Sequence, residues 1–280
     1  MAESVRGLLT RRRALWALGA AGLVGLGADG ARGDGIERAG VPGPRTPVDA
    51  ATPVPSPAPT PTPTPTPTLR PAPWTAEPIT TAEQPVRRLT ELVPAPPPNT
   101  IALTIDDGPH PAWTPRVLDL LAEHDVQATF FIIGEQVREF PKIAKRIADS
   151  GHQICNHTMT HPTLSHASAK KIKREIVDAH DLIAQTTGIV PGFFRAPGGG
   201  WSPRVYDAIA EHDMLPIDWA VDPRDWARPG VGAIRRSMLG TKAGDILLCH
   251  DGGGDRAQTL AALKDVLPKL KKRGLIFTPL

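Results

Sequence analysis

Short apolar runs alternate with longer amphipathic stretches along the chain from residue 99 to its end. The apolar runs predict strands at 100–105, 128–133, 153–156, 192–195, 215–220, 245–250 and 275–277. Apolar residues at helical spacing predict helices near 117–121, 137–148, 168–186, 203–212, 231–239 and 257–272.

This alternation indicates βαβ units and therefore parallel strands. The strands are apolar throughout rather than alternating, as expected when both faces of the sheet are covered. The segment has 182 residues, fewer than the roughly 250 of a full eightfold barrel. We therefore expect an α/β fold, an irregular (β/α) barrel of about seven parallel strands, with an open doubly wound sheet as the alternative.

The first 98 residues have a different pattern. Of the 32 prolines in the chain, 19 lie between Pro42 and Pro98, and Pro61–Thr68 reads P-T-P-T-P-T-P-T. Proline donates no backbone hydrogen bond, so this stretch favours an extended spacer over a packed core. We expect a disordered Pro/Thr-rich linker over residues 32–98 and one folded domain over residues 99–280.

Residues 1–31 are typical of an export signal. Arg11-Arg12-Arg13 precedes the apolar run 14–27, and small residues follow it. The run is shorter than the roughly 20 residues of a membrane span. The pattern Arg12-Arg13-Ala14-Leu15-Trp16 resembles a bacterial twin-arginine signal. We expect a secreted or cell-envelope protein of bacteria, with an uncleaved signal anchor as the alternative.

The charge balance of the segment predicted to fold limits the class of molecule that it binds. Residues 99–280 carry 22 Lys+Arg against 21 Asp+Glu. Proteins that bind nucleic acid usually concentrate cations on one face, so this balance disfavours nucleic acid as the partner.

Polar side chains that need an explanation follow the predicted strands. In parallel α/β folds the carboxyl ends of the strands form one rim, where active sites are built. Seven candidates fall at this rim: Asp106, Asp107, His157, His161, Arg195, Asp225 and His250.

The pair His157 and His161 has the i, i+4 spacing that brings two imidazoles to one metal ion if the segment turns helically. A carboxylate from another strand completes a two-His-one-carboxylate site suited to zinc or another divalent first-row ion. Adjacent strand residues point to opposite faces, so Asp106 and Asp107 reach one site only where Gly108-Pro109 breaks the strand. One carboxylate can then bind the metal while the other serves as a base.

These motifs resemble the polysaccharide deacetylases, the NodB-homology group of carbohydrate esterase family 4. T-I-D-D-G-P at 104–109 resembles their T-F-D-D-G-P signature. The other four motifs follow in the family's order: H-[ST]-x-x-H at 157–161, R-x-P at 195–197, D-x-x-D-W at 222–226 and L-x-H at 248–250. The similarity covers essentially residues 99–280 and implies a deacetylase domain there.

The resemblance implies a role for each residue. Asp107, His157 and His161 would hold the metal, with Zn²⁺ as the first candidate and Co²⁺, Ni²⁺ and Fe²⁺ also fitting. Asp106 would be the general base and His250 the general acid, supported by Arg195 and Asp225. The substrate would be bound by a backbone N–H at Gly198 and by Trp226 and Leu248. Apart from the resemblance, Trp201 in the glycine-rich loop after Arg195 is a candidate for stacking on a sugar ring, with a packing role as the alternative.

One departure from the family pattern bears on the substrate. Gly198 stands where an aromatic residue is common, and this leaves that side of the groove more open.

Together with the export signal, the resemblance predicts a secreted, monomeric, metal-dependent hydrolase that removes acetyl groups from N-acetylglucosamine units of peptidoglycan or chitin-type oligomers at the cell wall. An O-acetyl esterase acting on acetylxylan is the alternative within hydrolases. A non-haem iron oxygenase and a wall-binding module without turnover are alternatives from other classes. The first would not need Asp106 or His250, and the second would not need the full set of catalytic positions.

Two cysteines in an exported protein suggest a disulfide. Strand parity argues against it, because Cys155 lies on the side of His157 whereas Cys249 points away from the side of His250. We therefore expect two free, buried thiols.

Overall fold

The apolar runs form seven strands in the computed structural model, which describes residues 84–93 and 95–280. The strands are β1 (Thr100–Asp106), β2 (Thr129–Ile132), β3 (Gln153–Asn156), β4 (Phe193–Phe194), β5 (Leu215–Pro216), β6 (Ile246–His250) and β7 (Ile276–Phe277).

Eight α-helices occur within the same described residues. They are α1 (Leu89–Leu92), α2 (Thr114–Glu123), α3 (Gly134–Glu139), α4 (Pro141–Asp149), α5 (Ala169–Thr187), α6 (Pro203–Ala210), α7 (Val231–Leu239) and α8 (Ala257–Lys272). Two short 3₁₀ helices cover Pro197–Gly199 and Asp225–Ala227. The single helix expected over 137–148 is two helices, because Pro141 lacks the N–H that would continue α3 and instead begins α4.

The strands form one parallel sheet in the order β5-β4-β3-β2-β1-β6, and β7 pairs with the beginning of β1. After β5 the chain runs on to β6, where the Ala220 N–H donates to the Ile246 carbonyl at 2.9 Å and Val221 pairs with Leu247. This contact brings the two ends of the sheet together. The expected α/β architecture, an irregular barrel of seven parallel strands, is confirmed.

The two faces of the sheet carry separate cores. Ile101, Leu103 and Ile105 of β1 pack with the helices, whereas Ala102 belongs to the cluster on the other face. Every residue of β1 is buried, as the unbroken apolar run predicts. The second face is the inner side of the curled sheet.

A segment before β1 fills this inner side. Val86, Leu89, Leu92 and Val93 are at most 6% exposed and pack in the inner cluster. The Val86 N–H donates to the Pro216 carbonyl at 2.9 Å, and the Leu89 N–H donates to the Gly244 carbonyl at 2.8 Å. We call residues 84–93 the N-terminal strap.

The strap lies within the segment that the sequence assigned to the linker, so folded structure begins well before residue 99. The physical reason is the pattern V-R-R-L-T-E-L-V at 86–93, which places apolar residues on one side of a short turn of helix. Dense proline on both sides hid this pattern.

Cys155 and Cys249 are both free and buried. Cys155 belongs to the inner cluster and Cys249 to the cluster beneath the helices. Burial raises the pKa of both thiols. The expectation of two free, buried thiols on opposite faces is confirmed.

The expected export signal at 1–31 and the Pro/Thr repeat of the linker lie outside the described residues. Among the helices within the described part of the chain, none combines the length and apolar character of a membrane span.

The strap should contribute to the stability of the barrel. Leu89→Ala removes a fully buried side chain and should lower the free energy of unfolding by about 2–5 kcal/mol. Chemical denaturation followed by circular dichroism measures this loss. Thr90→Ala, at the exposed neighbouring position, is the control and should stay within about 0.5 kcal/mol of the parent. Equal stabilities for the two variants would contradict a structural role for the strap.

Candidate active site and metal centre

The seven sequence-predicted polar residues lie on the loops and strand ends at one rim of the sheet. Asp106 is the last residue of β1 and His250 the last of β6, and β1 and β6 pair so that these two residues are opposite each other. His157 follows β3, Arg195 follows β4, and Asp225 begins a 3₁₀ helix after β5. All five are buried, so these side chains lie beneath the protein surface at this rim.

Asp106 and Asp107 reach the same site because the strand breaks between them. Asp107 has a left-handed backbone, with φ of 75°, so its side chain leaves the alternation of β1. The turn packs against Gly252, where a Cβ atom would overlap the Asp107 carbonyl oxygen. Glycine at 252 is therefore required for the Asp107 turn to sit against the end of β6.

The two imidazoles also converge, although not by a helical turn. Thr158 and His161 have left-handed backbones, with φ of 69° and 59°. The Asn156 side chain accepts a hydrogen bond from the Thr158 N–H at 2.9 Å, and the Thr158 hydroxyl accepts one from the His161 N–H at 3.0 Å. The condition of a helical turn over 157–161 is thus not met, since these side-chain hydrogen bonds form an irregular loop that brings the two imidazoles together instead.

Asp107, His157 and His161 form a cluster suited to a metal ion. One ligand atom from each lies within 4.8 Å of the other two. Oδ1 of Asp107 is buried and accepts no well-formed hydrogen bond, although Nε2 of His161 and Nε2 of His157 lie 3.2 and 3.5 Å away. A buried carboxylate oxygen without a proton donor is costly unless a cation binds it. One oxygen and two imidazole nitrogens are a donor set of the kind that zinc and related divalent ions take.

The tautomer of His157 is fixed for metal binding. Its Nδ1 lies 2.8 Å from the Arg195 carbonyl oxygen. A carbonyl oxygen only accepts, so Nδ1 carries the proton and Nε2 keeps its lone pair toward the cluster. Such a backbone partner for a ligating histidine both orients the ring and raises its basicity.

The charges within the cluster reinforce each other. Burial alone would raise the pKa of Asp107, but contact with His157 and His161 outweighs it and holds that pKa well below its usual range. The same contact with Asp107 raises the pKa of His161. Asp107 is therefore a carboxylate across the physiological range, as a metal ligand must be.

Asp106 is held by a buried arginine. Arg195 is fully buried, and its Nη1 donates to Asp106 Oδ1 at 2.6 Å and to the Thr104 hydroxyl at 3.0 Å. The other oxygen of Asp106, Oδ2, lies 3.7 Å from Nε2 of His157. The arginine thus fixes one oxygen of Asp106 and leaves the other beside the metal cluster.

His250 is held by a buried carboxylate. Its Nδ1 lies 2.7 Å from Asp225 Oδ1, and its backbone N–H donates to Asp225 Oδ2 at 3.0 Å. Burial lowers the pKa of His250, but hydrogen bonding and the charge of Asp225 raise it to about 9. The pKa of Asp225 is lowered in turn by His250. His250 is therefore a protonated imidazolium at neutral pH.

The four residues predicted to bind substrate are spread more widely. Gly198 lies in the 3₁₀ helix after Arg195, and Leu248 is buried on β6 on the same side as His250. Trp226 is 49% exposed beneath the Arg224 guanidinium. Trp201 is half-buried; its ring stacks on Tyr206, with ring centres 5.3 Å apart, so it is partly a packing residue.

Sequence motifs missed several residues that support this site. Arg256 is buried, donates to the Gly252 carbonyl at 2.6 Å and lies 3.9 Å from Asp107 Oδ2. The Thr259 hydroxyl donates to Asp225 Oδ2 at 2.8 Å. Both lie on the segment that follows His250, where no residue pattern distinguishes them from an ordinary loop and helix.

Asp251 is a third residue that the motifs missed. It is fully buried and accepts a hydrogen bond from the Thr114 hydroxyl at 2.5 Å. Burial raises the pKa of Asp251 to about 7. Its position directly after His250, at the end of β6, was the available signal.

Comparisons with known proteins agree with this geometry. The family model for polysaccharide deacetylases matches residues 94–217. A peptidoglycan-N-acetylglucosamine deacetylase of Bacillus cereus is 44% identical over 180 residues, which cover 63% of this chain and 84% of the relative. A chitooligosaccharide deacetylase of Sinorhizobium fredii is 40% identical over 193 residues, covering 65% of this chain and 90% of the relative.

Solved structures share the same architecture. The crystal structure of a peptidoglycan N-acetylglucosamine deacetylase superimposes with a TM-score of 0.63 at 35% identity, covering 65% of this chain and 86% of that chain.

The cluster should bind a divalent metal through His161. His161→Ala removes a partly exposed ligand, so the fold should persist while affinity for Zn²⁺ falls at least about tenfold. Metal content after dialysis and calorimetric titration with Zn²⁺ measure the change. His166→Ala, at an exposed histidine in the same loop, is the control and should bind like the parent. Unchanged affinity in His161→Ala would contradict the assigned site.

His250 should titrate near pH 9 in protein treated with a chelator, because Asp225 stabilises its charged form. The imidazolium is therefore present below this pH and is lost as the pH rises through it. Asp225→Asn removes the negative charge and should lower the His250 pKa by more than one unit. NMR titration of the ring measures both values, and Asp222→Asn, on the same loop, is the control. A His250 pKa unaffected by Asp225→Asn contradicts the pairing.

Proposed function

The chain belongs to the polysaccharide deacetylase family, and from this premise we propose that it removes acetyl groups from N-acetylglucosamine units of a cell-wall or chitin-type polysaccharide. It is a hydrolase of that family. The proposal adds the substrate, the metal dependence and the roles of individual residues.

The proposal rests on one observation. Two ion pairs, Asp106 with Arg195 and His250 with Asp225, lie at the same rim as the metal cluster. Asp106 is a carboxylate fixed by Arg195, and His250 is an imidazolium fixed by Asp225. A base and an acid held on the paired ends of neighbouring strands β1 and β6 suit hydrolysis, in which one proton leaves water and another reaches the departing group.

Asp106 is the general base. Its Oδ1 is occupied by Arg195, so Oδ2, beside the cluster, is the oxygen available to accept a proton from water. The fixed guanidinium prevents the carboxylate from rotating, so the base meets the water in one orientation. The adjacent Asp107 cannot share this role, because its Oδ1 is directed at the two imidazoles.

A divalent ion bound by Asp107, His157 and His161 would supply Lewis acidity toward the acetyl carbonyl and lower the pKa of a water molecule. Zn²⁺ leads among the candidate ions because the ligand set is one carboxylate and two imidazoles. Co²⁺, Ni²⁺ and Fe²⁺ use the same donors.

His250 is the general acid. An amide nitrogen leaves only when it receives a proton. In the imidazolium form of His250 both ring nitrogens are protonated, so while Nδ1 donates to Asp225 the proton on Nε2 can be transferred to that nitrogen. The raised pKa keeps this proton in place at neutral pH. The backbone N–H of Gly198 donates to the carbonyl oxygen as negative charge develops there.

The names of the relatives support the choice of polymer. Peptidoglycan N-acetylglucosamine and chitooligosaccharides are both named in them, and both present an N-acetylated glucosamine unit. The near-neutral charge of residues 99–280 is compatible with an uncharged glycan.

We also propose where the enzyme works. Residues 1–31 direct export, with a twin-arginine-like pattern, and the proline-rich segment carries the domain outward from the membrane. The enzyme acts as a monomer at the bacterial cell wall.

Asp106→Asn should lower acetate release from N-acetylated chitooligosaccharide about 10²–10⁴-fold, because the amide accepts no proton from water at neutral pH. Release of acetate per enzyme, measured with the metal-loaded protein, tests this. Asp149→Asn, at an exposed carboxylate paired with Lys145 far from the rim, is the control and should keep the parent rate.

The same assay on several polymers separates the candidate activities. The parent enzyme should release acetate from chitooligosaccharide or peptidoglycan in preference to acetylxylan. Faster release from acetylxylan would favour the O-acetyl esterase, and full activity in Asp106→Asn would refute the assigned base.

A further inference from the structure

The two histidines of the metal cluster are supported differently. The side chain of His157 is 3% exposed and its Nδ1 is bonded to the Arg195 carbonyl oxygen, whereas the side chain of His161 is 42% exposed. An exposed side chain keeps more rotamer freedom than a buried one. His161 also has a left-handed backbone, which persists in a non-glycine residue only where surrounding contacts hold it. The position of its imidazole therefore depends on how firmly the neighbouring backbone is held.

Glu175 of α5 holds the residue next to this ligand. Its Oε2 accepts a hydrogen bond from the Thr160 N–H at 2.8 Å, and its Oε1 accepts one from the Thr160 hydroxyl at 2.7 Å. Hydrogen bonds to a carboxylate are shorter and about twice as strong as those between neutral groups. Because Thr160 directly precedes His161, one carboxylate fixes both the backbone and the side chain of the neighbouring residue.

The place of Glu175 on its helix indicates that it is not a packing residue. Ile172, Ile176 and Ala179 lie on the buried face of α5, and Glu175 lies within this face at 4% exposure. A carboxylate in such a position is costly unless hydrogen-bonded partners compensate for the lost water. The two bonds from Thr160 provide this compensation, and they join α5 to the metal-binding loop.

The earlier part of the loop is held from another helix. The N–H groups of Gly134 and Glu135, at the beginning of α3, donate to the carbonyl oxygens of Thr158 at 3.0 Å and Met159 at 2.9 Å. A Cβ atom at Gly134 would overlap the Met159 sulfur atom, so glycine allows this close approach. The bonds from α3 reach residues 158 and 159, and Glu175 holds residue 160.

We propose that Glu175 is a positioning residue of the metal centre: its two bonds to Thr160 keep the His161 imidazole beside Asp107 and so raise the affinity for a divalent ion. The inference rests on the metal dependence in the proposed function. It adds that α5, which contributes none of the three ligands, sets the strength of metal binding.

Glu175→Ala should lower the affinity for Zn²⁺ about tenfold, the effect of losing a group that orients a metal ligand. Calorimetric titration of chelator-treated protein with Zn²⁺ measures this loss, and circular dichroism establishes that the variant is folded. Glu175→Gln keeps an oxygen that accepts from the Thr160 N–H and should recover part of the affinity. Asp178→Ala removes an exposed carboxylate of the same helix and should bind Zn²⁺ like the parent.

A double-mutant cycle with His161 separates positioning from a general effect on the fold. If Glu175 acts through His161, it has no ligand left to position in a His161→Ala background. Glu175→Ala should then lower the affinity of that background less than about twofold. A merely structural role predicts the same loss in both backgrounds, and that result overturns the inference.

Thr160→Val tests the contact from the other side. Thr160 is exposed, so this variant should fold, and it removes the hydroxyl that donates to Glu175 Oε1. The affinity for Zn²⁺ should fall about threefold, as expected for one lost hydrogen bond. Thr163→Val, at another exposed threonine between β3 and α5, is the control and should keep the parent affinity. If Glu175→Ala does not fold, Thr160→Val decides, and an unchanged affinity overturns the inference.

The outcomes separate failure of the positioning role from failure of the proposed function. If the parent and a folded Glu175→Ala bind Zn²⁺ equally well, the positioning role is overturned and the metal site stands. If the parent binds Zn²⁺ but releases no acetate from chitooligosaccharide or peptidoglycan, the proposed function fails, and the affinities still decide the role of Glu175. A parent that binds no divalent ion overturns both, because no ligand then needs to be positioned.

Discussion

The buried ion pair between Arg195 and Asp106 is the contact on which the site depends. Both side chains are at most 3% exposed, so each would be costly to bury alone. Arg195 also donates to the backbone carbonyl oxygens of Ile217, at 3.3 Å, and Asp218, at 2.8 Å. It therefore links the end of β1 to the residues after β5. Removing it would leave a buried carboxylate uncompensated and two strand ends unconnected.

The same ion pair explains why the adjacent residues Asp106 and Asp107 have different roles. Arg195 fixes Asp106, whereas Oδ1 of Asp107 lies beside the imidazoles of His157 and His161. Two neighbouring carboxylates thus acquire different environments from a single break in β1. A second, similar arrangement holds His250 through Asp225, with the signs of charge exchanged. The site is a base held by a cation and an acid held by an anion, with a cluster of metal donors beside them.

Much of this could be predicted from the sequence, because strand ends and motifs are local patterns. Parallel strands and the rim that gathers Asp106, His157 and His250 follow from short apolar runs and their polar termini. The irregular loop at 157–161 could not be predicted, because its shape depends on backbone N–H groups that donate to the side chains of Asn156 and Thr158. Arg256 was missed because its contact with Asp107 is made only in three dimensions. The strap was missed because prolines surround a short apolar pattern.

The burial of the strap has a consequence for proteolysis of the segment that precedes the barrel. Leu89 and Leu92 are part of the inner core, so a protease that cuts between Val93 and Asn99 would remove a piece of the barrel together with the residues before it. Cleavage upstream of residue 84 would leave these core residues with the enzyme. A fragment beginning at Asn99 would therefore lack part of its own interior.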